Sequence, residues 1–152
     1  MGTDEEKGEL EETAKVLLAS AELEKWKNLL GEVFDCFRDG KYRVCIPPLL
    51  SILEGFLMES LHKEANVRTN STKVRDAIVG PKWHEENSFI GVMWLSVVTF
   101  FQRLFANSEF DSAAPTFINR HWVLHGRSAT DWTAADALRL INALDTLRWY
   151  FS

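Results

Sequence analysis

Apolar residues recur every three or four positions along almost the whole chain, which is the spacing of an amphipathic helix. The first such stretch runs from about Leu10 to Arg38. The polar "SAEL" at Ser20 predicts a break into two helices, and "RDGKY" predicts the end of the second, with Gly40 as its C-terminal cap. We therefore expect this part of the chain to fold as two consecutive helices.

The same spacing continues towards the end of the chain. It predicts helices at about Val44–Ala65, up to Val79, at about Trp83–Ala106, from Thr116 to Gly126, and from Thr133 to about Tyr150. Pro47 and Pro48 are expected in the first turn of their helix or just before it, where a missing N–H does little harm. Thr133 is the predicted N-cap of the last helix, and Asp136 completes a pair that resembles a capping box. Polar loops are predicted at Asn66–Thr72 and Asn107–Pro115.

No stretch alternates apolar and polar residues for long enough to predict a strand; "RHWVLH" comes nearest, and helix signals flank it. The sequence therefore predicts an all-α fold, a compact bundle of four to five helices. A chain of 152 residues, 46% of them hydrophobic, is long and apolar enough to bury a sizeable core in one domain, residues 1–152.

Negative charge is concentrated at the start of the chain. Residues 1–35 hold four Lys and ten acidic residues, a net charge of −6, whereas the whole chain carries −5. We expect these residues to form a solvated, partly mobile helix with little part in the core, and residues 1–9 to be an acidic, mobile N-terminus. The remainder is near neutral, which argues against a broad nucleic-acid-binding surface but is compatible with a small basic pocket.

The cysteines and the apolar runs indicate a cytoplasmic protein that does not enter a membrane. Cys36 and Cys45 lack the paired spacing of a zinc site and are too few for a disulfide framework, so we expect reduced, partly buried thiols. The first residues are acidic where a signal peptide is basic and then apolar. The most apolar run, Phe89–Phe101, is shorter than the roughly 20 residues that cross a bilayer.

The side chains best suited to binding or catalysis are concentrated in "FINRHWVLHG", which holds Arg120, His121 and His125. On a helix the two histidines would lie about 40° apart around the axis and about 6 Å apart along it, on one face. Arg120 and His125 would lie about 140° and 7.5 Å apart, so only a long arginine side chain would reach a shared pocket.

Three interpretations of this cluster are open. In a structural role, the side chains satisfy carbonyl and carboxylate groups near a helix end. As a metal site, the His-x-x-x-His pair would need a third ligand such as Glu54, and it lacks the Glu that follows the first His in zinc protease helices. As an acid–base site, Arg120 would hold phosphate oxygens while a histidine moves protons near neutral pH. Arginine and histidine are the minimum set for RNA cleavage without a metal.

The segment "RHWVLH" resembles the Arg, polar residue, short spacer, His motif of the HEPN superfamily, the higher eukaryote and prokaryote nucleotide-binding domains. The "PPLLSILEGFL" helix and the closing "DALRLINALDTL" fit a bacterial helical domain of this type. The resemblance implies a compact α-helical bundle. It also implies a metal-independent endoribonuclease of a toxin–antitoxin, abortive-infection or CRISPR-linked defence system, with a site formed where two motif helices meet in a homodimer.

The resemblance assigns roles to the residues of the motif. Arg120 would hold the scissile phosphate, His125 would be the general acid or base, and His121 would orient the site or contact the phosphate. Asn119, just before the motif, would support it. No cofactor and no metal are implied.

Two more side chains have alternative roles. Glu54 lies in the apolar "LLSILEGFL", either as a surface carboxylate or as an inward partner of Arg120 or a histidine, and its neighbours favour the second. Trp122 could stack on a base, although core packing is the commoner role of such a residue.

Three functions follow for the chain. The first is an endoribonuclease that cleaves an RNA such as a tRNA or mRNA, with an antitoxin or another defence-system subunit as partner. The second is a non-catalytic HEPN-like module for dimerisation, nucleotide sensing or partner binding in a larger defence system. The third is a structural, partner-binding bundle with the acidic N-terminal helix as the docking element.

Overall fold

The computed structural model confirms the all-α prediction, because within the residues that it describes most of the backbone is helical and none of it forms a strand. The described residues are 3–65, 99–104, 118–126 and 131–152. The helices are α1 (Asp4–Ala19), a 3-10 helix (Ala21–Trp26), α2 (Lys27–Arg38), α3 (Tyr42–Ala65), α4 (Arg120–Leu124) and α5 (Ala134–Phe151). Residues 99–104 are also helical.

The chain divides into two compact units. The first comprises Met1–Phe56 and Asp131–Ser152, and the second comprises Leu57–Thr130. Most of the predicted Trp83–Ala106 helix, the helix predicted up to Val79 and both predicted polar loops lie outside the described residues. The single-domain assignment stays a prediction.

The predicted breaks at Ser20 and Gly40 are confirmed. Ser20 is extended and ends α1, and the chain continues as the 3-10 helix. Gly40 has a φ of +74°, a conformation that costs glycine little. Its N–H donates to the Phe37 carbonyl at 3.0 Å, and the Lys41 N–H donates to the Cys36 carbonyl at 2.8 Å. This pair of hydrogen bonds is a Schellman motif, which closes α2 before α3 begins.

Local capping also fixes where α1 and α5 begin. The Thr133 N–H donates to Asp136 Oδ2 at 2.9 Å, so the predicted capping box is confirmed. An equivalent box joins Thr3 and Glu6, and α1 therefore begins at Asp4, earlier than the Leu10 that apolar spacing indicated. The first turns of α1 are polar, so a hydrophobic pattern does not reveal them.

The predicted position of the two prolines is wrong. Helix α3 begins at Tyr42, which places Pro47 and Pro48 in its second turn. A proline there cannot donate the hydrogen bond to the residue four positions earlier, here Arg43 and Val44. Both of those residues are exposed, so water can hydrate their carbonyl groups.

The expectation that the N-terminal segment takes little part in the core is also wrong. Its buried side chains are Ala14, Leu17, Leu23, Leu30, Val33 and Phe34. Full burial of a Leu or Phe side chain stabilises a fold by about 1.5–3 kcal/mol. The acidic residues occupy the other faces of the same helices, so the net charge of the segment does not reveal its buried stripe.

Helices α1 and α2 are also joined by an ion pair at the surface. Arg38 Nε and Nη2 each donate to the Glu11 carboxylate at 2.9 Å. These hydrogen bonds lower the pKa of Glu11. Both side chains are more than 40% exposed, so the pair contributes about 1 kcal/mol or less.

Three aromatic side chains of the first unit pack together around Gly55. The ring of Trp26 lies against Gly55, and a Cβ atom added at Gly55 would be 2.9 Å from Trp26 Cζ2. Phe56 makes edge-to-face contacts with both Trp26 and Phe151, each with ring centroids 6.3 Å apart. Gly55 is therefore the position where α3 accepts an indole ring directly against its backbone.

Within the described ranges, none of the helices combines the length and the apolar character that spanning a membrane requires.

Candidate functional site

The motif helix α4 begins at Arg120 because Asn119 caps it. Asn119 Oδ1 accepts a hydrogen bond from the Trp122 N–H at 3.2 Å, and the Asn119 carbonyl accepts one from Val123 at 3.0 Å. An asparagine that binds the third N–H in this way is a favoured N-cap. The predicted start near Thr116 is wrong, since residues 118 and 119 are not helical.

Asn119 also anchors α4 to the helical segment 99–104. Its Nδ2 donates to the Arg103 carbonyl at 3.2 Å, and the residue is only 4% exposed. The supporting role of Asn119 in the site stays a prediction; what the structure shows is that its side-chain amide holds the start of α4. An Asn three residues before the bonded Trp122 is a capping signal that sequence reasoning missed.

Gly126 ends α4 as predicted. It has a φ of +66°, and its N–H donates to the Val123 carbonyl at 3.1 Å. Val123 is buried, Trp122 is half-buried, and Leu124 is 46% exposed. The result is a helix of five residues that is fixed at both ends and holds one apolar side chain in the core.

The motif residues lie at opposite ends of this helix. Arg120 is its first residue and is half-buried, whereas His125 follows its last residue and is exposed in the turn. They are separated by the whole length of α4, and the ideal helical values of about 140° and about 7.5 Å stay a prediction, because His125 lies in the turn. His121 is the second residue of α4, and the role predicted for its side chain lies outside what the structure describes.

Glu54 is half-buried on α3. Its neighbours Leu53 and Phe56 are buried, as its apolar surroundings in the sequence indicated. Its proposed contact with Arg120 or a histidine stays a prediction. Within the described ranges, no three or more His, Cys, Asp or Glu side chains group as metal ligands.

Both cysteines are free thiols, as predicted, but the predicted partial burial holds only for Cys36. Cys36 is half-buried and Cys45 is buried, and both are free. Cys45 Sγ lies 3.5 Å from the Val33 carbonyl oxygen and 3.4 Å from that of Lys41. Burial raises the pKa of the Cys45 thiol to about 11, with a smaller contribution from Cys36. A thiol that keeps its proton is a poor nucleophile, so Cys45 belongs to the core.

The raised pKa of Cys45 makes the folded protein less stable at alkaline pH. An unfolded thiol ionises above about pH 8.5, whereas Cys45 in the folded protein keeps its proton up to about pH 11. Over that window the unfolded state binds fewer protons, so the free energy of unfolding falls as pH rises, by about 2–3 kcal/mol in all. We expect urea denaturation between pH 8 and pH 10.5 to show this loss.

The Cys45→Ala variant is the control for that titration. We expect it to be less stable than the wild type near pH 8, because it leaves a small cavity, but its stability should fall less steeply with pH. An equal slope in the two proteins would show that Cys45 does not cause the alkaline loss.

No protein-family model, no curated protein and no solved structure matches the chain. The interpretation of the site therefore depends on the residues of α4 and on the all-α fold around it.

Proposed function

We propose that the protein is a metal-independent endoribonuclease of the HEPN type that acts in a bacterial toxin or phage-defence system. One observation carries the proposal: α4 is a single short helix with an arginine at its first position and an exposed histidine directly after its last. Asn119 and Gly126 cap the two ends of α4 and so hold the backbone between Arg120 and His125.

The two side chains supply complementary parts of one reaction. His125 removes the proton from a ribose 2′-OH, whose oxygen attacks the adjacent phosphorus. The new bond joins O2′ to phosphorus, the bond from phosphorus to O5′ breaks, and the leaving oxygen takes up a proton. Arg120 donates hydrogen bonds to the non-bridging oxygens, where negative charge accumulates in the transition state. His121 orients the phosphate or shares the proton transfers.

The exposed position of the residues at the end of α4 suits a macromolecular substrate. His125 and Leu124 are both exposed, so a single-stranded loop of tRNA or mRNA can approach the end of α4 without a deep pocket. The charge of the chain outside residues 1–35 is close to neutral, which favours recognition of a local feature over a long electrostatic contact.

The test is incubation of the purified protein with total RNA and with tRNA in EDTA. We expect cleavage to continue, because neither residue needs a metal. The fragments should carry a 2′,3′-cyclic phosphate and a 5′-OH, because the neighbouring hydroxyl is the nucleophile. Fragments with a 5′-phosphate would contradict this mechanism, since they require attack by water or another external group.

We also propose a homodimer with the two copies of α4 near its two-fold axis. Arg120 and His125 lie at opposite ends of α4, which keeps the two side chains of one copy from facing a single phosphate easily. A second copy of α4 would supply the missing side of the site. Sedimentation at micromolar concentration should give twice the chain mass of 17.4 kDa. A monomer that still cleaves RNA would exclude a composite site.

The second candidate is a non-catalytic HEPN-like module that senses a nucleotide or binds an antitoxin or another defence-system subunit. The near-neutral charge outside residues 1–35 favours it, because most RNA-binding surfaces are more basic. In that case the assay in EDTA gives no cleavage, and calorimetry with nucleotides should show binding that Arg120→Ala abolishes.

A further inference from the structure

The first unit contains a groove lined by α1, α5 and the junction of α2 and α3. Its volume is about 480 Å³. The residues that line it come from all four helices: Glu6, Lys7, Glu9, Leu10, Thr13, Phe37, Tyr42, Ala134, Ala135, Leu138 and Asn142. All of them belong to the unit formed by Met1–Phe56 and Asp131–Ser152.

The floor of this groove is apolar. The rings of Phe37 and Tyr42 pack with their centroids 5.0 Å apart, and both residues are half-buried. Leu10 and Leu138 line the groove together with these rings and are also half-buried. Such partly covered side chains gain stability when a ligand removes more of their surface from water.

The rim of the groove is acidic along α1. Glu6, Lys7 and Glu9 line it and are exposed, two negative charges and one positive charge, and the acidic Asp4 and Glu5 precede them in the same exposed stretch. Residues 4–12 hold six acidic residues and one Lys, a net charge of −5. Glu9 has no ion pair within the described part of the chain, so its charge is available to a ligand.

The length of the groove suits a short helix. Its α1 wall runs from Glu6 to Thr13, about 10 Å at the helical rise, and its α5 wall runs from Ala134 to Asn142, about 12 Å. This length equals about two turns of a docked helix. Two turns place apolar side chains at positions i, i+3, i+4 and i+7 of the ligand in contact with the floor.

The negative charge along α1 disfavours several other ligands of the groove. Nucleic acid and an anionic membrane surface would both be repelled by the acidic rim. A second copy of the chain would bring its own acidic α1 to the same interface, which adds like charges near the rim. The remaining occupant is a cationic segment with an apolar face.

We propose that this groove binds a basic amphipathic helix of a partner protein. Its apolar side chains rest on Phe37, Tyr42 and Leu138, and its Lys or Arg residues lie towards Glu6 and Glu9. This proposal is independent of RNA cleavage, because none of its residues belongs to α4, and the two can fail separately.

The test uses a fluorescent peptide of about 14 residues, or about four helical turns, with Leu on one face and Lys on the other. A second peptide has Glu in place of every Lys. Fluorescence anisotropy with the full chain should show that the basic peptide binds, that added salt weakens it, and that the acidic peptide does not bind.

Two pairs of substitutions separate the groove from general charge attraction. Glu6→Gln with Glu9→Gln removes two negative charges from the rim, and Gln at position 6 keeps the capping box of α1. Glu24→Gln with Glu32→Gln removes two exposed charges that do not line the groove. We expect about fivefold to tenfold weaker binding from the first pair and little change from the second.

The apolar floor is tested by Leu138→Gln, which should weaken binding without changing the charge. If that variant unfolds, NMR of the wild type replaces it: the peptide should shift the amide signals of residues 6–13 and 134–142. Equal weakening by both charge pairs would overturn the proposal, as would shifts confined to other residues or equal binding of the acidic peptide.

Discussion

The His125→Ala variant is expected to cleave RNA about 10²–10⁴ times more slowly than the wild type, which is the usual contribution of a positioned acid or base. Its melting temperature should change little, because His125 is exposed in the turn after α4 and is not part of the core. Initial rates on one tRNA substrate, measured in EDTA beside thermal melts, check both statements.

Arg120→Ala should lower the rate by a similar factor, because it removes the charge that stabilises the phosphorane-like transition state. Arg120→Lys keeps a positive charge but loses the two-pronged geometry, so we expect an intermediate rate. His121→Ala distinguishes two mechanisms. A partial loss indicates an orienting role, and a complete loss indicates that the two histidines divide the acid and base steps.

Asn119 provides the structural control for these variants. Asn119→Ala removes the cap of α4 and should lower both the rate and the stability, by about 1 kcal/mol for the cap itself. Asn119→Ser can still cap the helix and should keep more of both.

Expression of the wild type should slow bacterial growth, and His125→Ala should relieve it. If wild type and variants are equally inactive on every RNA, the endoribonuclease proposal is wrong.

The Gly55→Ala variant is expected to unfold at lower urea concentration, with a loss of about 1–3 kcal/mol in the free energy of unfolding. The new Cβ would be 2.9 Å from Trp26 Cζ2, closer than two carbon atoms can approach. The indole cannot move away freely, because it packs edge-to-face against Phe56, which in turn contacts Phe151. Relief therefore requires several rings to shift together.

A matched substitution at Gly31 isolates this contact. Gly31 is also a helix-interior glycine, but a Cβ there has nothing within 4 Å. Gly31→Ala should therefore stabilise the protein by about 0.5–1 kcal/mol, the ordinary gain in helix propensity. The two substitutions are chemically identical and should have opposite signs.

A double-mutant cycle completes the test. In a Trp26→Leu background the large ring is gone, so Gly55→Ala should become neutral or stabilising. A loss of the same size in both backgrounds would show that the cost comes from elsewhere in α3. Equal stabilisation by Gly55→Ala and Gly31→Ala in the wild type would show that the indole yields without cost.

Local sequence determined the class of the fold and several helix ends. The break at Ser20, the caps at Gly40 and Gly126, and the pair of Thr133 with Asp136 were all predicted correctly. Each depends on residues within a few positions of each other, through backbone conformation or a short hydrogen bond, so no knowledge of distant contacts is needed. The all-α class followed from the spacing of apolar residues alone.

Tertiary structure decided which faces are buried and which residues meet. The net charge of residues 1–35 did not reveal their buried apolar side chains, because a net charge does not distinguish the opposite faces of a helix. The contact of Trp26 with Gly55 joins residues far apart in the chain, as do the hydrogen bond from Asn119 to Arg103 and the groove between α1 and α5. Such contacts depend on how helices pack, and the order of residues along one helix does not specify its neighbour.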